Sequence, residues 1–258
     1  MSHGTLYLVP APLDFGCAPT GPLDAVLPHQ TLLVAARLQH WVAENAKSTR
    51  AYLKRVGDCV PLVGSIQTLH IQELPRQAHK AGDHNPAAQT FDAKALLTAA
   101  LPAHGGHDIG LVSEAGMPAI ADPGSSVVRA AHELGLPVVP LVGPVSLMLA
   151  LAASGLNGQN FAFTGYLPQE ATARQQRIQA LESLALKTGQ AQLFIETPYR
   201  NNVLLQALVQ TLQHNTRLAV CSGLTLATAS VKSQSVKAWR QAPTVLDNAM
   251  PVVFLLGR

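Results

Sequence analysis

Short apolar runs alternate with stretches of helical spacing through the first half of the chain. Residues 6–9 read as a strand, and a loop rich in proline and glycine follows over 10–22. Residues 31–36 read as a second strand. Ser48 is placed to cap a helix over 49–56 that Gly57 stops, and Asp92 to cap another reaching Leu101. Residues 108–112 form the next strand. Asp122 then caps a third helix with Pro123 at its first position, Gly135 ends it, and 137–142 returns as a strand. This alternation predicts an α/β domain with a mainly parallel sheet.

The second half has a different rhythm. A helix over 145–153 precedes a strand at 161–164 and a polar helix over 171–186. A strand at 193–195 leads to Thr197 as cap, Pro198 as first residue, and a helix running to Leu212. Residues 218–222, 225–232 and 251–256 then follow with no long helix between them, which favours antiparallel pairing. A boundary near Gly143 gives two α/β domains, 1–143 and 144–258, the second with a mixed or antiparallel sheet.

Composition narrows the class. Hydrophobic residues make up 48% of the 258 and charged residues 13%, which supports a buried core and argues against disorder. The net charge of +3 is too small by itself to imply nucleic acid. Cys17, Cys59 and Cys221 are far apart and odd in number, so neither a disulfide framework nor a cysteine zinc site is expected, and a reducing cytoplasm fits. The first residues lack the basic start of a signal peptide. Residues 136–156 carry no charge over about a membrane-spanning length, but Pro137, Pro140, Gly143 and Pro144 break them into strand, turn and helix, so no membrane span is expected.

The run Ser113-Glu114-Ala115-Gly116-Met117-Pro118-Ala119-Ile120-Ala121-Asp122-Pro123-Gly124 is long for a connection from strand to helix. In an open α/β sheet, ligands lie beyond the carboxyl ends of the strands, where this loop begins. Gly116 lets backbone approach a ligand, the prolines stiffen the loop, and small apolar side chains suit an adenine ring or a thioether. A plain connection with a well-capped helix reads equally from spacing alone. Glu196, at the end of the 193–195 strand, either serves a ligand or faces solvent, and residues 142–146 form a third strand-to-helix corner. Lys47, Arg50, Lys54 and Arg55 on one short helix could hold phosphates or simply be solvated. No Gly-x-Gly-x-x-Gly, Walker loop, Gly-x-Ser-x-Gly or His-Glu-x-x-His occurs, and His104 and His107 read as loop residues, so no metal is expected.

These residues resemble a known family. Residues 113–124 are similar to the Ser-Asp-Ala-Gly-Thr-Pro-x-Ile-x-Asp-Pro-Gly signature of the tetrapyrrole (corrin/porphyrin) methylase superfamily, closest to its branch that methylates a ribose 2′-hydroxyl of small-subunit ribosomal RNA. Residues 43–50 resemble that branch's Ala-Glu-Asp-Thr-Arg segment, and His84-Asn85 its His-Asn pair. Residues 142–146, 154–156, 163–168 and 194–200 fall in the branch's order.

The resemblance implies an S-adenosylmethionine-dependent methyltransferase of two α/β domains, a homodimer, with the cofactor in a cleft between the domains and RNA as acceptor. It implies cofactor contacts at Pro10, Glu114, Ala115, Gly116, Ile120, Ala121, Ser146, Thr197, Leu224 and Pro251, and substrate contacts at Glu44, Arg50 and Glu196. No catalytic residue is assigned; Glu44, Glu114 and Glu196 are candidates to accept the hydroxyl proton. The chain departs from the branch at Asn45 and Glu114, where the branch has aspartates, and at 221–226, which lack the charges of its Arg-Glu-Leu-Thr-Lys. Those departures keep two alternatives open: a methyltransferase for a tetrapyrrole or other small acceptor, and a silent cofactor-binding protein.

Overall fold

The computed structural model describes residues 2–75, 83 and 91–258. They fall into two compact units, Met1–Phe15 with Gly21–Val145, and Gly16–Thr20 with Ser146–Arg258.

The first unit holds β1 (Leu6–Leu8), α1 (His29–Arg37), β2 (His40–Ala43), α2 (Ala46–Cys59), β3 (His70–Glu73), β4 (Ile109–Val112), α3 (Ser125–Glu133) and β5 (Val138–Pro140). Its sheet runs β3-β2-β4-β1-β5, parallel throughout. The central strands carry side chains into cores on both faces. Trp41, Ala43 and Val112 pack with α1 and α2 on one side; Val42, Ile109 and Leu111 pack with α3 on the other. At the amino ends of three strands the rings of His70, His40 and His107 stack in that order, with centroids 4.8 and 4.6 Å apart.

The second unit holds α4 (Ser146–Ser154), β6 (Phe161–Tyr166), α5 (Ala171–Thr188), β7 (Ala191–Ile195), α6 (Asn201–Thr211), β8 (Arg217–Ser222), β9 (Ser230–Ser235), α7 (Val236–Gln241) and β10 (Val252–Gly257). Its sheet, β6-β7-β10-β8-β9, is mixed: β6 and β7 are parallel and the other pairs antiparallel. Phe194 and Phe254 stack at 6.1 Å in a core shared with α5, α6 and α7. The expected fold class, a parallel α/β domain followed by a mixed one, is the observed one.

Several local expectations are corrected. Residues 31–36 are helix, not strand: Thr31 and Leu32 donate to the Pro28 carbonyl at 2.9 and 3.2 Å, and leucine and alanine are strong helix formers. The cap of α2 is Asn45, whose Oδ1 accepts from the amides of Lys47 (2.8 Å) and Ser48 (3.1 Å), so Ser48 lies inside the first turn and Gly57 inside the helix. Asp92 accepts from the Lys94 amide at 2.9 Å, but a 3-10 segment, Ala95–Ala100, follows instead of an α-helix. Residues 225–229 are turn rather than strand, with Thr225 at a φ of 73°. Asp122 does not cap α3. The cap position is Gly124, and its amide and that of Ser126 donate to the carboxylate of Asp83 at 2.9 and 3.0 Å.

Candidate functional site

In the first unit, β1, β2 and β4 all end at one edge, and the loop 113–124 lies along it. Gly116 and Ala11 exchange both backbone hydrogen bonds, at 2.9 and 3.1 Å, which ties the loop to the chain leaving β1. Gly116 has a φ of 72°, and a Cβ there would stand 3.1 Å from Leu13 Cδ2. Glycine is therefore required both by conformation and by the close approach. Ala119 and Ala121 each adopt a φ of 65°, a left-handed conformation that costs an L residue energy and that clusters at ligand sites. Asp83 holds the far end of the loop through Gly124.

Carboxylates gather at the same edge. Ala43 and Val112 are register partners, so Glu44 and Ser113 leave adjacent strands side by side. Ser48 Oγ lies 3.1 Å from Glu114 Oε1 and 3.0 Å from the Asn45 carbonyl, its one proton serving one of them at a time. Asp122 is half-buried beside Glu44 and Glu114. Burial first, then the charges of Glu44 and of Glu114, push its carboxyl up to about 7. Near neutral pH this edge therefore holds a titratable proton. Ser113, 5% exposed, has a buried hydroxyl with no hydrogen-bond partner among the described residues. Beside the loop, Met117, Pro118, Ala119 and Ile120 join Leu8, Val128 and Val145 around an apolar hollow of about 330 Å³.

The nominated residues divide by unit. Pro10 accepts from the Tyr52 hydroxyl at 3.2 Å, directly before the Ala11–Gly116 bridge, so Pro10, Glu114, Ala115 and Gly116 belong to one edge. Ile120 and Ala121 are exposed on the loop's outer stretch. Arg50 projects from α2, exposed, with one 3.4 Å bond to the Ala46 carbonyl. In the second unit, Ser146 opens α4. Leu224 and Pro251 lie together, because the Gly223 amide donates to the Pro251 carbonyl at 3.0 Å. Thr197 precedes a 3-10 turn, and its amide donates to Glu196 Oε1 at 2.8 Å. Glu196 Oε2 pairs with Arg200 at 3.5 Å, so this buried carboxylate is engaged within its own turn. His84 and Asn85 lie outside the described residues.

Asp122 and Ser113 stand within the quoted motif, but sequence reading gave one a capping role and the other none. The available signal was partial: Glu114 closely follows the predicted 108–112 strand, whereas Glu44 follows β2, which the apolar pattern did not mark, and Asp122 comes near them only through the fold. Among the described residues no group of three or more His, Cys, Asp or Glu side chains could hold a metal ion, and no helix is long and apolar enough to cross a membrane.

Comparison with known proteins supplies the lineage. The chain is 31% identical over 200 residues to "Ribosomal RNA small subunit methyltransferase I" of Pseudomonas aeruginosa, covering 78% of this chain and 59% of that protein. It is 30% identical over 224 residues to the protein of the same name from Escherichia coli O157:H7, covering 87% of this chain and 66% of that one. The chain thus spans less than two thirds of the length of these relatives. Two solved structures share the fold. The methyltransferase CobJ is 15% identical, with a TM-score of 0.55 over 99% of this chain and 94% of its own. A uroporphyrin-III-C-methyltransferase from Thermus thermophilus is 16% identical, with a TM-score of 0.50 over 98% and 92%. A sequence model of the family described as Tetrapyrrole (Corrin/Porphyrin) Methylases matches residues 37–238, and the chain belongs to that family.

Proposed function

We propose that this protein is an S-adenosylmethionine-dependent methyltransferase acting on RNA, with a ribose hydroxyl of ribosomal RNA as acceptor. The observation that carries the reading is the 113–124 loop, clamped at Gly116 and Gly124 and strained at two alanines, at the carboxyl edge of a parallel sheet. The residues present suit the cofactor: Gly116 presents bare backbone at the turn of the loop, and the buried Ser113 hydroxyl has no hydrogen-bond partner among the described residues. Pro10, Glu114, Ala115, Gly116, Ile120 and Ala121 are the first unit's contacts in this reading, and Ser146, Thr197, Leu224 and Pro251 the second unit's.

The cofactor, when bound, supplies a methyl group on an already activated sulfonium, so positioning carries much of the acceleration. The chain's part is to hold the acceptor in line, exclude water and receive the hydroxyl proton. Asp122, beside Glu44 and Glu114, is suited to that last task, since its carboxyl is pushed up to about 7. The relatives' names support RNA as the acceptor class. A small acceptor such as a tetrapyrrole is the second reading, favoured by the uncharged segment 221–226. We also propose a cytoplasmic homodimer; cysteines left as thiols, Cys59 exposed among them, suit a reducing compartment.

Calorimetric titration with S-adenosylmethionine and S-adenosylhomocysteine tests the core of this reading. Micromolar binding is expected, and Gly116→Val should abolish it. Absence of binding by either compound to the unaltered protein would overturn the methyltransferase reading.

A further inference from the structure

The charges on α2 are arranged against the helix's own stability. Lys47 and Arg50 stand in its first turns, no acidic residue accompanies them there, Asp58 stands in its last turn, and no basic residue does. The helix dipole favours the reverse at both ends. Nor do internal ion pairs explain the cations. Arg55 is paired with Asp14, at 2.7 and 3.1 Å, and with the Gly21 carbonyl. Lys47, Arg50 and Lys54 have no carboxylate partner among the described residues. All three are exposed, and their spacing of three and four residues aligns them on one face over about 10 Å of helix. The amino-terminal amides are not themselves a site, since Asn45 takes two and Glu73 takes that of Ala46 at 2.7 Å. What remains is a ridge of unneutralised side chains.

We propose that the Lys47–Arg50–Lys54 ridge of α2 is a track for the sugar–phosphate backbone of RNA, which it leads to the carboxylate edge of the first unit. The proposal rests on the RNA reading above and adds the surface that holds the substrate. The ridge begins at that edge: Ser48, next to Lys47, lies 3.1 Å from Glu114. A polyanion resolves the inverted charge pattern, because phosphates beside the helix's amino end are favoured by both the dipole and the side chains. A lipid surface fits less well. The apolar face of α2, with Tyr52, Leu53 and Val56, is already buried, and no large apolar side chain stands among the ridge residues to enter a membrane.

The test is fluorescence anisotropy of a fluorescein-labelled single-stranded oligoribonucleotide over a salt series. Each lost phosphate contact lowers the logarithmic salt slope by about 0.7, so the triple variant Lys47→Gln, Arg50→Gln, Lys54→Gln should lose about 2 from the slope. Between about 50 and 200 mM salt the unaltered protein should then lose roughly 20-fold more affinity than the variant. The charge-conserving triple Lys47→Arg, Arg50→Lys, Lys54→Arg should keep the slope, as should Lys187→Gln on α5. The thermal midpoint of the neutral triple should not fall, because its substitutions relieve the opposed dipole. Salt-dependent RNA binding that the neutral triple retains in full would overturn the track and leave the RNA reading standing. No salt-dependent RNA binding by the unaltered protein would remove that reading and the track with it. Ridge-dependent binding to phosphatidylserine–phosphatidylcholine vesicles without RNA binding would likewise overturn it.

Discussion

Replacing Asp122 by Asn should remove a pH-dependent load on the fold. In the native protein burial, then Glu44 and Glu114, raise this carboxyl from an ordinary 3.8 to about 7. That displacement corresponds to roughly 4 kcal/mol between its charged and neutral states. The raised value fixes the sign. Below 3.8 both folded and unfolded chains hold the proton, and the favourable contribution is complete. As pH rises the unfolded chain releases its proton first, so stability falls until the folded group also ionises near 7. Urea denaturation of both proteins at several values from about pH 5 to pH 8 isolates the effect, since the other titrating groups largely cancel in the difference. Relative to the variant, the unaltered protein should lose roughly 2–3 kcal/mol over that range. A difference that stays flat would refute the argument, and would mean that Asp122 is ionised in the fold throughout.

Two further substitutions probe the first unit. Gly110→Ala would place a Cβ 2.6 Å from the fully buried Trp41 ring and should cost roughly 1–3 kcal/mol in urea denaturation; an unchanged midpoint would mean that the ring has room to move. His40, between His70 and His107, titrates below the ordinary 6.5 because of burial first and then the charges of His107 and His70. Stability is therefore greatest above that value and is lost as pH falls through it. His40→Gln should make the decline shallower, and parallel declines in the two proteins would count against the stack as its cause.

Which parts were legible follows from how local each signal is. The runs at 109–112 and 193–195 read as strands because strands buried on both faces are continuously apolar. The run at 31–36 carries no such distinction: six apolar or small residues satisfy either period, and only Pro28 ahead of it favoured the helix. β2 was missed because its apolar core, Trp41 to Ala43, is short and flanked by polar residues. The special character of 113–124 was visible in its length and glycine content. Its left-handed alanines and the raised carboxyl of Asp122 were not; the latter depends on burial and on Glu44, which arrives from β2. The cap of α3 was misassigned for the same reason. A local reading can choose only among neighbours, and Asp83 stands 41 residues before Gly124.

That remote cap has a consequence for the order of assembly. The 113–124 loop is fastened at one end to Ala11 and at the other to Asp83, both supplied by parts of the chain made earlier. Neither fastening exists in a segment running only from β4 through α3, and long-range closures of this kind carry the entropy of the chain they enclose. The loop should therefore take its shape among the last events of folding. A fragment lacking the first eighty-three residues would carry the whole signature in sequence and neither of its fastenings.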